Sequence, residues 1–143
     1  MNILISGCLL GLKCRYDAKE KKLPEIEKLM ELYNLIPICP EQLGGLPTPR
    51  IPAERVKDRV ITQAGADVTK EYQLGAKEAL KIAKLYNCKK AILKEKSPSC
   101  GYGKIYDGTF SRNLTDGNGV TANLLIDNGI EIFGESEIEK FLK

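Results

Sequence analysis

Bulky apolar residues along the chain fall into short runs, and longer stretches of mixed polarity separate them. A short, almost entirely apolar run is typical of a parallel strand that is buried on both faces of a sheet. Gly7 ends the first run, and Pro40 ends the second because proline cannot donate to a central ladder. The runs predict strands over 2–6, 35–38, 90–94 and 131–133.

The stretches between these runs carry apolar residues at three-to-four spacing, which is the period of an amphipathic helix. Pro24 fits the first turn of a helix over 24–33, and Asp67 or Thr69 can cap a longer helix over 69–86. A further helix is expected over 119–128, and Ser136 with Glu139 forms a capping box that opens a terminal helix. The apolar stripes of the first two helices are Ile26, Leu29, Met30, Tyr33, and Tyr72, Ala76, Ala79, Leu80, Ala83, Tyr86.

Segment 41–59 is rich in residues that break helices and strands. It contains Gly44, Gly45, Pro47, Pro49 and Pro52. Such a density of breakers predicts a long loop, and long loops in compact domains usually serve a function. We expect this loop to form the lid or wall of a substrate site.

Strands and helices alternate along the whole chain, which predicts an α/β fold. We expect a single Rossmann-like, three-layer catalytic domain over 1–143, with helices flanking a mainly parallel sheet of about four strands. No Gly-x-Gly-x-x-Gly sequence follows the first strand, and no P-loop sequence occurs. The signatures of dinucleotide-binding and P-loop proteins are therefore absent.

Composition narrows the class of protein. Hydrophobic residues make up 43% and charged residues 29% of the chain, as in an ordinary soluble globular protein. A net charge of +3 without a dense basic stripe does not favour a long nucleic acid as partner, and the apolar runs are too short to cross a membrane. The N-terminus lacks the features of a signal peptide, so we expect a cytoplasmic protein; no obligate protein partner is evident.

Five cysteines and no histidine limit the available chemistry. In a reducing cytosol these cysteines should be free thiols or metal ligands rather than disulfides. Cys8, Cys39 and Cys100 each stand in a turn just beyond a predicted strand, whereas Cys88 precedes a strand and Cys14 lies in the first loop. The carboxyl ends of parallel strands share one edge, so the first three thiols should converge there. Three thiolates leave an open metal position, and their spacing does not distinguish zinc from iron.

Several short motifs stand at the predicted strand ends and in the loops: SGCLLG at 6–11, RYD at 15–17, CPE at 39–41 with GGL at 44–46, PRIPAE at 49–54, and SPSCG at 97–101 after Lys94. Together they resemble the family long catalogued as domain of unknown function 523, which includes thiouracil desulfidases. The resemblance implies an oxygen-sensitive [4Fe-4S] cluster held by Cys8, Cys39 and Cys100. Its free iron would take the sulfur of a thiolated pyrimidine in a hydrolytic, non-redox reaction. A preparation made in air can lack the cluster.

The same resemblance implies catalytic roles for two residues beside these ligands. Glu41 and Ser97 match the carboxylate and the serine that are implicated in catalysis in the family. A carboxylate can activate water against the carbon of an iron-bound thiocarbonyl group, and a hydroxyl can relay or orient the proton.

Two further residues are candidates for substrate contact. Arg50 is suited to an anionic group of the substrate through bidentate geometry, and Ser99 lies beside a proposed ligand. We nevertheless favour for Arg50 a place in a buried ion network with Arg15, Asp17 and Glu54 that holds the loops.

Other hypotheses stay open at the level of sequence. The protein could be a persulfide-forming sulfurtransferase with Cys100 as nucleophile, or a non-enzymatic metal-binding or redox-sensing module. Cys88 is expected to be a packing residue, and Cys14 an extra ligand, a reserve thiol or a packing residue. The sequence does not determine the ring position of the sulfur, the choice between base and nucleotide, the sulfide acceptor or the oligomeric state.

Overall fold

Four parallel strands form the central sheet in the computed structural model of this protein, which describes residues 1–142. The strands in chain order are β1 (Asn2–Ser6), β2 (Asn34–Ile38), β3 (Ala53–Val56), β4 (Arg59–Thr62), β5 (Lys90–Leu93), β6 (Lys104–Tyr106), β7 (Leu114–Asp116) and β8 (Glu131–Gly134). The helices are α1 (Ile26–Leu32), α2 (Pro40–Leu43), α3 (Thr69–Leu85) and α4 (Val120–Asp127), with 3-10 helices over Gly7–Leu10 and Glu135–Phe141. The sheet has the order β2-β1-β5-β8.

The two inner strands, β1 and β5, bury both of their faces, since successive side chains of a strand point to opposite sides. Ile3 and Ile5 pack with α1 and the terminal 3-10 helix, whereas Leu4 packs with α3 and α4. Helices therefore cover both faces of the sheet. The predicted α/β fold, with a four-stranded parallel sheet between helices, is confirmed.

The strand order fixes where a binding site can form. The chain passes from β1 to β2 on one side and later from β5 to β8 on the other, so the order reverses between β1 and β5. In open α/β sheets, ligands bind in the crevice at the carboxyl ends of the strands beside such a switch point. The segments that follow β1, β2 and β5 all begin at this edge.

The prediction of one long loop over 41–59 was wrong. Proline suits the first helical turn, so Pro40 starts the short helix α2, which ends at Leu43 and is followed by the C-cap Gly44. β3 then pairs with β4 as an antiparallel hairpin, whose turn contains Lys57 with a φ of 58°. The prolines and glycines of this segment gave no local signal for α2 and β3, two short elements that tertiary contacts stabilise. A second hairpin, formed by β6 and β7, was also missed.

The terminal element differs from the predicted capping box. It is a 3-10 helix capped by Gly134, whose N–H donates to Glu137 Oε1 at 3.1 Å. Ser136 is already inside this helix, and its hydroxyl donates to the Glu95 carboxylate instead. The predicted apolar stripes of the first two helices include two residues that are not buried, since Met30 is 63% and Tyr86 50% exposed. Among the helices of residues 1–142, none has the length and apolar character needed to cross a membrane.

Candidate active site

A cavity of about 600 Å³ opens at the carboxyl edge of the sheet. Its walls come from the ends of β1, β2 and β5, from α2, and from the loop before β3. Four of the five cysteines line it, namely Cys8, Cys14, Cys39 and Cys100. Cys88 does not; it is 4% exposed and packs in the core on the α3 side of the sheet.

Each of the three predicted ligands reaches the cavity from a different strand. Cys8 lies in the 3-10 helix directly after β1, Cys39 caps α2 directly after β2, and Cys100 lies in the loop after β5. Gly7 suits the crowded turn before Cys8, because a Cβ there would lie 3.1 Å from Leu12 Cδ1 and 3.4 Å from Cys14 Sγ. The fold therefore brings together thiols that are up to 92 positions apart in the sequence.

These thiols are held in an environment that opposes their ionisation. Burial raises the pKa of Cys8 to about 12 and that of Cys100 well above its usual 9.0. A hydrogen bond with the Cys14 thiol and burial raise the pKa of Cys39. Negative charge on Cys39 would also raise the pKa of Cys8, and negative charge on Cys8 or Cys39 would raise that of Cys100.

Thiols in this state fit a cationic cofactor. A bound metal centre supplies the positive charge that lets a buried thiol lose its proton. Among residues 1–142, no group of three histidine, cysteine or acidic side chains is arranged around one point to hold a single metal ion. An iron-sulfur cluster distributes thiolate ligands over several irons, so its ligands need not meet at one point. The all-thiol donor set therefore suits such a cluster.

Glu41 lies in the first turn of α2, and its carboxylate faces the cavity. The Cys39 thiol donates to Glu41 Oε1 at 3.8 Å, and Arg50 Nη2 lies 3.9 Å from Glu41 Oε2. Only 14% of the Glu41 side chain is exposed. Burial raises the pKa of this carboxyl, and the guanidinium of Arg50 offsets part of that effect. A carboxylate of this kind is a stronger base than one in water.

Arg50 is occupied by protein groups rather than directed toward open space. Its guanidinium donates to the Cys14 carbonyl at 3.2 Å, to Thr48 Oγ1 at 3.0 Å and to the Pro47 carbonyl at 3.3 Å. Only 7% of its side chain is exposed. Arg50 therefore joins the first loop, the loop before β3 and the carboxylate of α2.

The expected four-residue ion network does not form. Arg50 pairs with Glu41, and Arg15 Nη2 lies 3.9 Å from Asp17 Oδ2 in a separate pair. Glu54 accepts hydrogen bonds from the Gly108 and Phe110 N–H groups at 2.9 and 3.1 Å. The Glu54 carboxylate therefore anchors the segment between β6 and β7 through these two hydrogen bonds. The sequence did not predict this contact.

The two serines beside Cys100 have different positions. Ser97 lines the cavity, and its Oγ accepts the N–H groups of Ser99 and Cys100, each at 3.0 Å. Ser99 is 0% exposed and is not part of the cavity wall. Its hydroxyl lies 2.9 Å from Thr121 Oγ1 on α4. The expected substrate contact by Ser99 is therefore not available in this arrangement.

Several cavity residues were not identified from the sequence. Tyr72 was assigned only to an apolar stripe, yet it lines the cavity from α3. In the sequence, Lys94 stands only beside a motif. In the structure, its positive charge lowers the pKa of Cys8 and so offsets part of the increase that burial causes. Lys94 Nζ pairs with Glu135 Oε1 at 3.2 Å. The signal in the sequence was the position of Lys94 at the end of a predicted strand, at the edge where the ligands were expected.

The fold and the site define an α/β protein with a thiol-lined cavity at the switch point of a parallel sheet. Residues 3–137 match the family model described as 2-thiouracil desulfurase. A solved structure described as [4Fe-4S]-dependent thiouracil desulfidase TudS (DUF523Vcz) superimposes with a TM-score of 0.93 at 42% identity, covering 98% of this chain and 94% of that one.

The chain belongs to the 2-thiouracil desulfurase family, which confirms the resemblance drawn from its motifs. YbbK of Bacillus subtilis (strain 168), described as uncharacterized, is 42% identical over 150 aligned positions. That match covers 98% of this chain and 99% of YbbK.

Proposed function

We propose that this protein is an iron-sulfur-dependent desulfidase that removes sulfur from a thiolated pyrimidine base or nucleotide. The observation that carries the proposal is the meeting of three thiols from three distant segments with one buried carboxylate in a single cavity. Family membership supports the same class of enzyme and the same type of cofactor. The overall reaction replaces C=S by C=O: water is consumed, hydrogen sulfide leaves, and no electrons are transferred.

Cys8, Cys39 and Cys100 would hold the [4Fe-4S] cluster. When bound, the cluster supplies an iron with an open position that accepts the thiocarbonyl sulfur and makes the adjacent carbon more electrophilic. The protein contributes the shape of the cavity and the thiols. All three thiols must lose their protons to bind, so their raised pKa values make loading dependent on pH.

Glu41 is the proposed general base. Its carboxylate would remove a proton from the water molecule whose oxygen forms the new bond to the ring carbon. Burial raises the pKa of the carboxylate and makes it more basic, whereas the guanidinium of Arg50 at 3.9 Å lowers that pKa and so favours the ionised form. Arg50 is thus proposed as a positioning residue for Glu41, in place of the direct substrate contact first considered.

Ser97 is the proposed donor of a hydrogen bond to the reacting groups. A hydroxyl has two acceptor positions and one proton. Its oxygen already accepts two backbone N–H groups, so the proton is the part that is left to face the cavity. Ser97 would therefore orient the substrate or supply a proton, and it is poorly suited to act as a base.

Positive charge in the cavity favours the nucleotide over the free base. Lys21, Lys96 and Arg112 all line the cavity, and none of them forms an ion pair with another residue of 1–142. A phosphate would gain charge-assisted hydrogen bonds from such groups. We expect a higher kcat/KM for a thiouridine monophosphate than for the matching thiouracil.

Anaerobic reconstitution tests the proposal directly. The purified chain is loaded with iron and sulfide, its iron and acid-labile sulfide are measured, and the release of sulfide and of desulfurated pyrimidine from a thiopyrimidine is followed. Turnover should require the cluster and yield one sulfide per product. Turnover by iron-free protein, or a persulfide on Cys100 after one cycle, would favour the sulfurtransferase alternative instead.

We further propose that residues 1–143 act as one catalytic domain in the cytoplasm without an obligate protein partner. The free state of all five cysteines supports a reducing compartment. Full turnover by the isolated chain after reconstitution is the expected result. A requirement for added cell extract would contradict the absence of a partner.

A further inference from the structure

Cys14 is a fourth thiol in the cavity, and the proposed reaction does not use it. It lies in the irregular segment after the first 3-10 helix and is 6% exposed. Two hydrogen bonds fix its backbone: its N–H donates to the Leu12 carbonyl at 2.9 Å, and its carbonyl accepts from Arg50 at 3.2 Å. The backbone of Cys14 is therefore held in place beside Arg50, the proposed positioning residue.

The neighbour of Cys14 is Cys39. The Cys39 thiol donates to the Cys14 carbonyl oxygen at 3.5 Å, and each of the two thiols shifts the pKa of the other. Cys100 has other partners, since its thiol approaches Ser99 Oγ at 3.9 Å and interacts with the Ser6 hydroxyl. Of the three proposed ligands, Cys39 is thus the one whose thiol contacts Cys14.

We propose that Cys14 and Cys39 form a disulfide in the cluster-free protein, and that this bond reversibly protects the ligand Cys39 from oxidation. The bond removes one ligand, so the oxidised protein cannot load a cluster until it is reduced. The proposal goes beyond desulfidation and depends on the proposed function only for the ligand role of Cys39.

The chemistry is an ordinary thiol-disulfide exchange with a low-molecular-weight disulfide. One protein thiolate attacks the added disulfide and releases one small thiol, which gives a mixed disulfide. The second protein thiol then displaces the other small thiol and forms the Cys14–Cys39 bond. In total two protein thiols are oxidised and one small disulfide is reduced to two thiols. Bound iron would prevent the reaction by occupying Cys39.

Disulfide mapping of the wild-type chain tests the proposal without any substitution. Cluster-free protein is incubated with oxidised glutathione, remaining thiols are alkylated, and a non-reducing digest is analysed by mass spectrometry. We expect Cys39 mainly in a peptide linked to Cys14, with Cys88 alkylated. Iron loading of the oxidised protein should be at least about fivefold lower and should recover after dithiothreitol.

Two cysteine variants serve as a test and a control for the mapping. In Cys14→Ser, Cys39 should carry glutathione instead of an internal link, whereas Cys88→Ser should give the wild-type map. Alkylated or glutathionylated Cys39 in the wild type, or a link from Cys39 to Cys8 or Cys100, would overturn the proposal. Because the mapping needs neither cluster nor substrate, its outcome is independent of desulfidase activity.

Discussion

Burial of titratable side chains is the feature of the cavity that acts at the scale of single residues. The Glu41 carboxyl and the Cys8, Cys39 and Cys100 thiols all have raised pKa values. For the carboxyl, burial increases basicity, and for the thiols it opposes ionisation until a metal centre is present. In the proposed mechanism, the same desolvation would serve catalysis at Glu41 and would make the three thiols dependent on the cofactor.

Replacing Glu41 with glutamine should separate catalysis from cluster binding. Glu41→Gln keeps the shape of the side chain but removes the base, so desulfuration should fall by a factor of about 10² to 10⁴. The visible absorption of the cluster should stay unchanged. Glu31→Gln, an exposed substitution on α1, is the matched control and should retain the wild-type rate. A wild-type rate in Glu41→Gln with an intact cluster would mean that the base lies elsewhere.

The stability of the cluster-free protein should fall in alkaline solution. The folded-state pKa of Cys8 is about 12 against 9.0 in an unfolded chain, so its contribution is complete below pH 9.0 and declines as the pH rises toward 12. The free energy of unfolding of the wild type should therefore fall more steeply than that of Cys8→Ser, by up to about 1.4 kcal/mol per pH unit. Urea denaturation at several pH values measures both slopes. Equal slopes would contradict the assigned pKa.

At the scale of elements, the position of Glu41 depends on a close contact between α2 and α3. The two helices meet at glycines: a Cβ on Gly75 would clash with the Pro40 carbonyl, and one on Gly44 with the Glu71 carbonyl. No larger residue allows the backbones to approach so closely. The contact fixes α2, which carries Cys39 at its cap and Glu41 in its first turn.

Gly75→Ala tests this contact. Helix propensity alone predicts that alanine stabilises the interior of α3 by about 0.5–1 kcal/mol. The clash with α2 should outweigh that gain, since overpacking typically costs about 1–3 kcal/mol, so the melting temperature should fall. Gln73→Ala, on the exposed side of α3, is the control and should not lower it. A Gly75→Ala variant that melts at or above the wild-type temperature would show that α2 can move away without cost.

At the scale of the whole molecule, the proposed cluster would connect three segments that the sheet only brings near one another. Cys8, Cys39 and Cys100 follow β1, β2 and β5, so a shared ligand adds links across the carboxyl edge. A ligand that binds only the folded state stabilises it by mass action. Loading should therefore raise the stability of the entire fold.

A series of cysteine variants checks this effect and the ligand set together. Serine in place of Cys8, Cys39 or Cys100 should abolish iron loading, because a hard hydroxyl is a poor ligand at a soft site. Cys14→Ser and Cys88→Ser should load fully. Anaerobic reconstitution should raise the melting temperature of the wild type and of these two variants by at least about 5 °C, and leave the other three unchanged. Full iron content in Cys100→Ser would exclude Cys100 as a ligand.

Much of the fold was predictable because its signals are local. The apolar runs identified the four central strands, and the spacing of apolar residues identified α1, α3 and α4 to within a few residues. The hairpins β3–β4 and β6–β7 were missed because their strands have only three or four residues each and lie among prolines and glycines. Such short strands depend on partners that are not adjacent in the sequence.

The sequence by itself determined the parallel sheet and the placement of Cys8, Cys39 and Cys100 beyond strand ends, because both depend on short apolar runs and the turns that end them. Only the tertiary structure decided which side chains face each other. It paired Arg50 with Glu41, buried Ser99 against Thr121, and placed Cys14 beside Cys39. These contacts join residues 9 to 25 positions apart. They follow from how helices and loops pack on the sheet, which no local pattern encodes.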